Sequence, residues 1–266
     1  SPKLTVSHRV SDDVLIFGSW SEARKPGGFS TLAIGAFSLD PNADGNPEEI
    51  LFDEEVMEVI ELGFKTVLRD GSLRLNGAIF MEDYTDRQVS VQKIIGDQLG
   101  NVIKNAAGGE VFGAEIDATL ALNDKVTLSG GLTLLDSKYT DFKLSSTGSG
   151  EISRAGNCVL TEIAGESTCM IDRTGNVFER APNLAANFNL NFTDELRDTG
   201  AMFFTELNAR YQDDRAVDFD NNAWFKEYWR LDFRAGIEKG NWKGTLYVKN
   251  ILDDDTVVSG GNGPDI

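Results

Sequence analysis

Residues Val111–Leu135 read VFGAEIDATLALNDKVTLSGGLTLL. Phe112, Ala114, Ile116, Ala118, Leu120 and Leu122 alternate with Val111, Gly113, Glu115, Asp117, Thr119 and Ala121. Asn123-Asp124-Lys125 breaks the run. Val126, Leu128, Gly130, Leu132 and Leu134 then alternate with Thr127, Ser129, Gly131, Thr133 and Leu135. Successive side chains of a strand point to opposite faces, so each run has one apolar face and one polar or small face. The stretch is a hairpin whose strands reach about ten residues or more, against an ordinary five or six. Tilted strands of about 9–11 residues are what a bilayer demands of a barrel wall. With lipid on the apolar side and water on the other, this hairpin is a piece of an outer-membrane barrel.

The rest of the chain repeats the pattern. The other expected strands are Lys3–Val10, Val14–Ser21, Met57–Leu68, Leu73–Tyr84, Asn183–Phe192, Met202–Gln212, Tyr228–Lys239 and Trp242–Ile251, making ten with the opening hairpin. Leu73–Tyr84 has the composition to stay extended as far as Ile95. Short turns such as Ser11-Asp12-Asp13, Arg69–Ser72 and Gly240-Asn241 alternate with long loops at about 22–55, 96–109, 137–181 and 213–227. Short turns at one rim and long loops at the other are the periplasmic and extracellular ends of a bacterial barrel. The fold class expected is all-β: an antiparallel up-and-down transmembrane β-barrel, about ten strands of a larger wall, partial and open, as one domain over 1–266. Helical periodicity is scarce, and Asp53–Ile60 is the one stretch that allows a turn or two.

The charge pattern fits a wet interior. The polar-face positions Glu61, Glu82, Glu115, Asp117, Glu206, Asp232 and Glu238 balance Lys65, Arg74, Arg210, Arg230, Arg234, Lys243 and Lys249, seven against seven. Opposite them lie Ile60, Leu62, Phe64, Leu73, Leu75, Ile79, Phe203, Leu207, Trp229, Leu231, Phe233, Ile237, Leu246 and Val248. An Arg or Lys turned to mid-bilayer costs about 2–4 kcal/mol, which enforces such sorting. The competing architecture is a soluble β-sandwich, with the apolar faces packed on one another. Alternation alone does not separate the two; strand length and the asymmetry of the rims favour the membrane.

Composition narrows the function. The 266 residues carry 25 basic and 43 acidic side chains, a net charge of −18, which argues against a nucleic-acid partner because phosphate needs a basic patch. No run approaches 18 apolar residues, so no transmembrane helix is expected. Cys158 and Cys169 sit in a Gly/Ser/Thr-rich loop, where a disulfide in an oxidising compartment competes with two unpaired thiols. A lone His8 makes a zinc site improbable. Asp40, Asn42, Asp44 and Gly45 match the start of a D-x-[DN]-x-[DN]-G calcium loop, but the twelfth position is Leu51 where a bidentate Glu belongs. Calcium and an acidic solvated turn both remain open. G-x-S-x-G, H-E-x-x-H and a P-loop are absent, so catalysis finds no support.

Six motifs stand in order along the chain: FGSWSEARKPGGFS (17–30), ELGFKTVLRDGSLRLNGAIFMEDYTDRQV (61–89), VFGAEIDATLAL (111–122), TLSGGLTLLDSKYTDF (127–142), RAPNLAANFNLNF (180–192) and LYVKNILDDD (246–255). Together they resemble the C-terminal barrel of TonB-dependent outer-membrane receptors, and the Lys-Pro-Gly-Gly-Phe form is most like the siderophore receptors. The resemblance implies the outer membrane of a Gram-negative bacterium and a lipid-facing wall. It also implies a ferric siderophore or similar small ligand, an N-terminal plug domain, and TonB acting through that plug. Such walls have about 22 strands around a plug. The chain is therefore expected to be a fragment, without its plug or closing strand and not competent for transport alone.

In that family ligand is gripped by aromatic and basic loop residues. The candidates here are Arg24, Lys25 and Phe29 in the first long loop and Trp224, Phe225 and Lys226 in a later one. The bland alternative is that Phe29, Trp224 and Phe225 anchor loops. Against the receptor reading stand a complete small barrel, as passive channel or enzyme, and a soluble calcium- or sugar-binding sandwich.

Overall fold

The computed structural model describes residues 1–30, 51–95, 98–146, 158–163 and 166–260; within 91–102 and 145–169 the description is of the backbone. One antiparallel sheet dominates. Its path runs β1 (Lys3–Ser11), β2 (Val14–Lys25), β5 (Glu55–Leu68), β6 (Leu73–Ile95), β7 (Gln98–Ala121), β8 (Val126–Ser146), β11 (Leu184–Glu195), β12 (Met202–Gln212), β15 (Tyr228–Lys239) and β16 (Trp242–Val248). Each strand pairs with its neighbour along the chain, an up-and-down wall. The sheet does not close: β1 and β16 are its two ends among the described residues. The ten wall strands are the ten read from periodicity.

Register confirms the sorting of faces. Glu206 lies opposite Arg234, Asn208 opposite Asp232, and Glu238 opposite Lys243 on one face. Leu190 lies between Leu128 and Leu207 on the other. Large apolar side chains on that second face are exposed rather than covered by a second sheet: Ile60 is 57% exposed, Phe112 56%, Phe188 44% and Trp229 52%. A contiguous apolar surface of this extent on a folded sheet marks a membrane or an interface. A sandwich would have buried it.

The polar face is smoothed by ring-on-glycine contacts. Phe80 pairs across the strands with Gly113, and a Cβ built on Gly113 would fall 2.1 Å from the Phe80 ring. Phe17 covers Gly63 and Phe204 covers Gly236 in the same way. At these three positions the glycine is explained by an aromatic ring from the next strand lying where its side chain would be. The tight turn at 69–72 has Arg69, Asp70 and Gly71 all at positive φ, 54°, 53° and 90°, which Gly71 accepts without strain.

Several segments expected to be loops carry strand. Residues 98–109 continue β7, because β6 and β7 stay paired up to Ile95 opposite Gln98. Within 137–181, β8 runs on to Ser146 and a hairpin of β9 (Cys158–Ile163) and β10 (Glu166–Asp172) pairs onto it. Two-residue ribbons, β3 (Gly28–Phe29) with β4 (Leu51–Phe52) and β13 (Arg215–Ala216) with β14 (Trp224–Phe225), brace the other long connections. Asp53–Ile60 is not helical: β5 occupies Glu55 onwards, since pairing with β2 outcompetes a one-turn helix of marginal stability.

Exposure of the apolar face leads to a contrast. Phe188→Arg should destabilise the wall in a full-length protein by about 2–4 kcal/mol, measured by denaturant unfolding in liposomes. Thr133→Lys, which lies opposite Glu115 on the polar face, should change it by less than about 1 kcal/mol.

Candidate functional site

The buried core does not lie between sheets. It sits at the long-loop rim, where Val89, Ala107, Val111, Tyr139, Phe142 and Phe178 are each less than a tenth exposed and Tyr84 and Phe219 pack against them. The segment after β10 folds back along β8 to make it. Gly175 N–H donates to Tyr139 O at 2.8 Å, Tyr139 N–H to Asn176 O at 2.9 Å, and Arg173 N–H to Phe142 O at 2.8 Å. The Phe178 ring then lies over Gly109, where a Cβ would fall 2.4 Å away. Tyr139 stacks at 4.7 Å from both Phe142 and Phe178.

Cations are laid on these rings. The Arg87 guanidinium lies 4.0 Å from the Phe178 ring centre and 5.2 Å from that of Tyr139. It also donates to the Tyr139 hydroxyl and, at 3.4 Å, to Glu179, while the same hydroxyl donates to Glu179 Oε2 at 2.6 Å. Burial pushes the Tyr139 phenol well above its usual range; Glu179 pushes the same way and Arg87 opposes it. Arg173, 4% exposed, lies 4.9 Å from the Phe219 ring and bonds Asp220 through Nε. Arg215, 8% exposed, covers Phe225 and donates to Val258 O.

These contacts tie three segments distant in sequence. Asn221 accepts from Val177 N–H at 2.8 Å and returns a bond to Val177 O at 3.0 Å. Arg180 N–H donates to Ala216 O at 2.9 Å, and its side chain reaches Gly260 O at 3.4 Å. In the last segment, a hydrogen bond from the Thr256 hydroxyl holds Asp254 below the usual carboxylate range, helped by the backbone N–H of Thr256 and Trp229.

The six predicted ligand contacts fall into two groups that the wall keeps apart. Arg24 and Lys25 end β2, and Phe29 is 53% exposed on β3. Arg24 pairs with Glu22 at 2.7 Å and with Glu54, and Lys25 lies 3.9 Å from Glu55, so both charges are met by their own loop. That loop is stitched to the β6–β7 hairpin by Asn105, which bonds Asp53 in both directions at 2.7 and 3.0 Å, and by Gln88 on Pro26 O and Asp53 O. Trp224, Phe225 and Lys226 lie six wall strands further round, beyond β5, β6, β7, β8, β11 and β12. Phe225 is buried, 7% exposed, as the anchor under Arg215, whereas Trp224 is 45% exposed and Lys226 exposed. Asp40, Asn42 and Asp44 lie outside the described residues. The backbone sets Cys158 opposite Ile171 and Cys169 opposite Leu160; the cysteine side chains are not among those described. Among the described residues no cluster of three or more His, Cys, Asp or Glu is arranged to hold a metal.

Arg87, Arg173, Phe178, Glu179 and Arg215 were not singled out from sequence, and Tyr139 only as an aromatic near a strand end. The side-chain hydrogen bonds that hold them span 40 to 92 residues, and no local spacing signals a contact of that range.

A family model described as TonB dependent receptor-like, beta-barrel, matches residues 1–251. The chain belongs to the TonB-dependent receptor β-barrel family. These are barrels of the outer membrane of Gram-negative bacteria, and that is where this chain resides. It is 24% identical over 250 residues to the probable TonB-dependent siderophore receptor PiuA of Acinetobacter baumannii, covering 93% of this chain and 29% of PiuA. Among solved structures, the ferric yersiniabactin uptake receptor FyuA of Yersinia pestis superposes with TM-score 0.69 at 18% identity, over 95% of this chain and 32% of FyuA. The copper transporter OprC does so with TM-score 0.64 at 12% identity, over 96% of this chain and 34% of OprC. The chain thus spans about a third or less of the proteins it matches.

The Tyr139 network sets a measurable expectation. Tyr139→Phe removes the hydroxyl's bonds to Arg87 and Glu179 but leaves those two paired with each other, a net loss of about 1.5–3 kcal/mol, so amides of 173–179 should exchange roughly ten- to a hundred-fold faster. The raised phenol pKa also means that the folded rim holds its proton more tightly than the unfolded chain. Stability is therefore full below the unfolded value of about 10 and falls as pH climbs above it, a limb that Tyr139→Phe should flatten.

Proposed function

We propose that the chain is a wall segment of a receptor that imports a ferric siderophore, with energy delivered by TonB through a plug domain supplied by another part of the protein. The observation that carries this is the family match combined with a rim of interlocked aromatic and cationic residues above a charged inner face. PiuA is named as a probable siderophore receptor and FyuA as a ferric yersiniabactin uptake receptor, which favours that cargo. The long-loop rim is the extracellular one, and the turns at 12–13, 69–72 and 123–125 face the periplasm, the arrangement general to bacterial barrels. A disulfide between Cys158 and Cys169 on the outer β9–β10 hairpin belongs to the same reading.

Within that rim the ligand meets Trp224, Lys226 and Phe29, the exposed members of the two groups, with Arg24 and Lys25 as a charge-compensated flank. Phe225 acts as an anchor beneath them. A chain of this span carries no gated path by itself; transport belongs to the whole receptor. OprC shares the fold, so a metal ion not held by a siderophore is the second cargo reading.

Uptake of radiolabelled ferric siderophore by iron-starved cells carrying the full-length receptor tests the proposal. Uptake should vanish when TonB is deleted. The Trp224→Ala and Lys226→Ala pair should weaken half-saturation about ten-fold or more, as truncating two exposed anchors does in other interfaces. Saturable uptake of free copper with none of ferric siderophore would replace this cargo with the second.

A further inference from the structure

The apolar face of the wall is not uniformly filled. Leu73, Leu120 and Leu128 form one cross-strand row, and Ile116 and Leu132 sit in another two rows up. Between them, Leu75, Ala118, Gly130 and Phe188 share a row in which the two central positions are nearly bare. The result is an apolar recess of about 420 Å³ lined from four strands, β6, β7, β8 and β11. That lies within the roughly 300–1,000 Å³ of small-ligand pockets. Its floor cannot be filled from within the wall, since a Cβ on Gly130 would fall 2.7 Å from the Asn187 carbonyl oxygen, a backbone atom.

Depth and charge say what covers it. Ala118 stands four residues before Leu122 and Gly130 four after Val126, about 14 Å along the strand and, at a tilt near 40°, about 10 Å along the membrane normal. The hydrocarbon half-thickness is about 15 Å, so the recess opens to the leaflet at the short-turn rim. Directly below it are the turns 69–72 and 123–125, which present exposed Arg69 beside exposed Asp70 and Asp124, while Lys125 is already paired with Asp194 at 2.9 Å. Both signs at one mouth match a headgroup that carries both signs. A purely anionic headgroup would meet the two carboxylates.

We propose that this recess is a binding site for one acyl chain of a zwitterionic phospholipid of the periplasmic leaflet, with Arg69 on its phosphate and Asp70 and Asp124 on its ammonium group. The inference rests on the membrane orientation given above and is independent of which cargo is carried. Native mass spectrometry on the full-length receptor, stripped of lipid and then offered phosphatidylethanolamine or phosphatidylglycerol, tests it. The wild type should keep one phosphatidylethanolamine in preference to phosphatidylglycerol. Ala118→Phe, which fills the recess, should lower that occupancy ten-fold or more. Arg69→Glu, on an exposed turn where folding is not at stake, should lower it several-fold. Equal occupancy in all three proteins, equal retention of phosphatidylglycerol, retention of a lipid A chain instead, or a dimer with the recess at its interface would each overturn the site. Siderophore uptake by the same variants is read separately: its absence in the wild type counts against the cargo, and leaves the lipid measurement standing.

Discussion

Everything in this wall follows from hydrocarbon offering no hydrogen bonds. A backbone N–H or C=O left unpaired in the bilayer core costs several kcal/mol, so a spanning sheet must be a continuous ladder. The ten wall strands supply that ladder from β1 to β16, each pairing with its neighbours in chain order. The same constraint acts on side chains, because one sheet has two solvents. Lipid on one face demands Phe112, Phe188 and Trp229, and water on the other admits Glu206 facing Arg234. Polar side chains bond their neighbours across strands, as Asn76 does Asp117 at 2.9 Å, and the wall needs no buried centre of its own. Among the described residues β1 and β16 are the two ends of the sheet, and their edges carry the same demand.

Where the wall rises out of lipid, the physics changes and a compact core appears. Irregular backbone is tolerated there only if its groups are paired, and the segments 173–181, 213–225 and 254–260 pair with one another as much as with the sheet. The guanidinium groups of Arg87, Arg173 and Arg215 lie on aromatic faces, contacts that strengthen as water is excluded. Each of those cations holds a segment from elsewhere in the chain. The long-loop rim is for this reason a pre-shaped surface, with Trp224 and Lys226 carried on a segment that Phe225 and Arg215 fasten down. Pre-shaping matters for a receptor, because ordering loops at the moment of binding would cost affinity.

The two predicted ligand groups differ in how the structure treats their charge. Arg24 and Lys25 are answered by Glu22, Glu54 and Glu55, so they hold a loop against the β6–β7 hairpin as much as they present charge. In a chain of net charge −18, basic residues near a rim meet carboxylates by default. Aromatic surface is scarcer at a water-facing rim, which makes Trp224 and Phe29 the more telling exposures.

Alternation at period 2 was enough to place all ten wall strands and to sort Arg210, Arg230 and Arg234 from Leu231 and Phe233. A strand's two faces are set by parity, and parity is local. The family likeness was also legible, because motifs such as RAPNLAANFNLNF, which leads into β11 and fills most of it, stand in order along the chain. Three things were not legible. The extension of β7 back to Gln98 depends on pairing with β6 and not on its own composition. The rim core depends on contacts such as Arg87 with Glu179, 92 residues apart, which no window along the chain reveals. The choice between sandwich and membrane wall depended on whether the apolar face was covered. Sequence determined that such a face exists, and tertiary structure alone decided that, among the described residues, no second sheet lies on it, because what covers a face is settled by how distant segments pack.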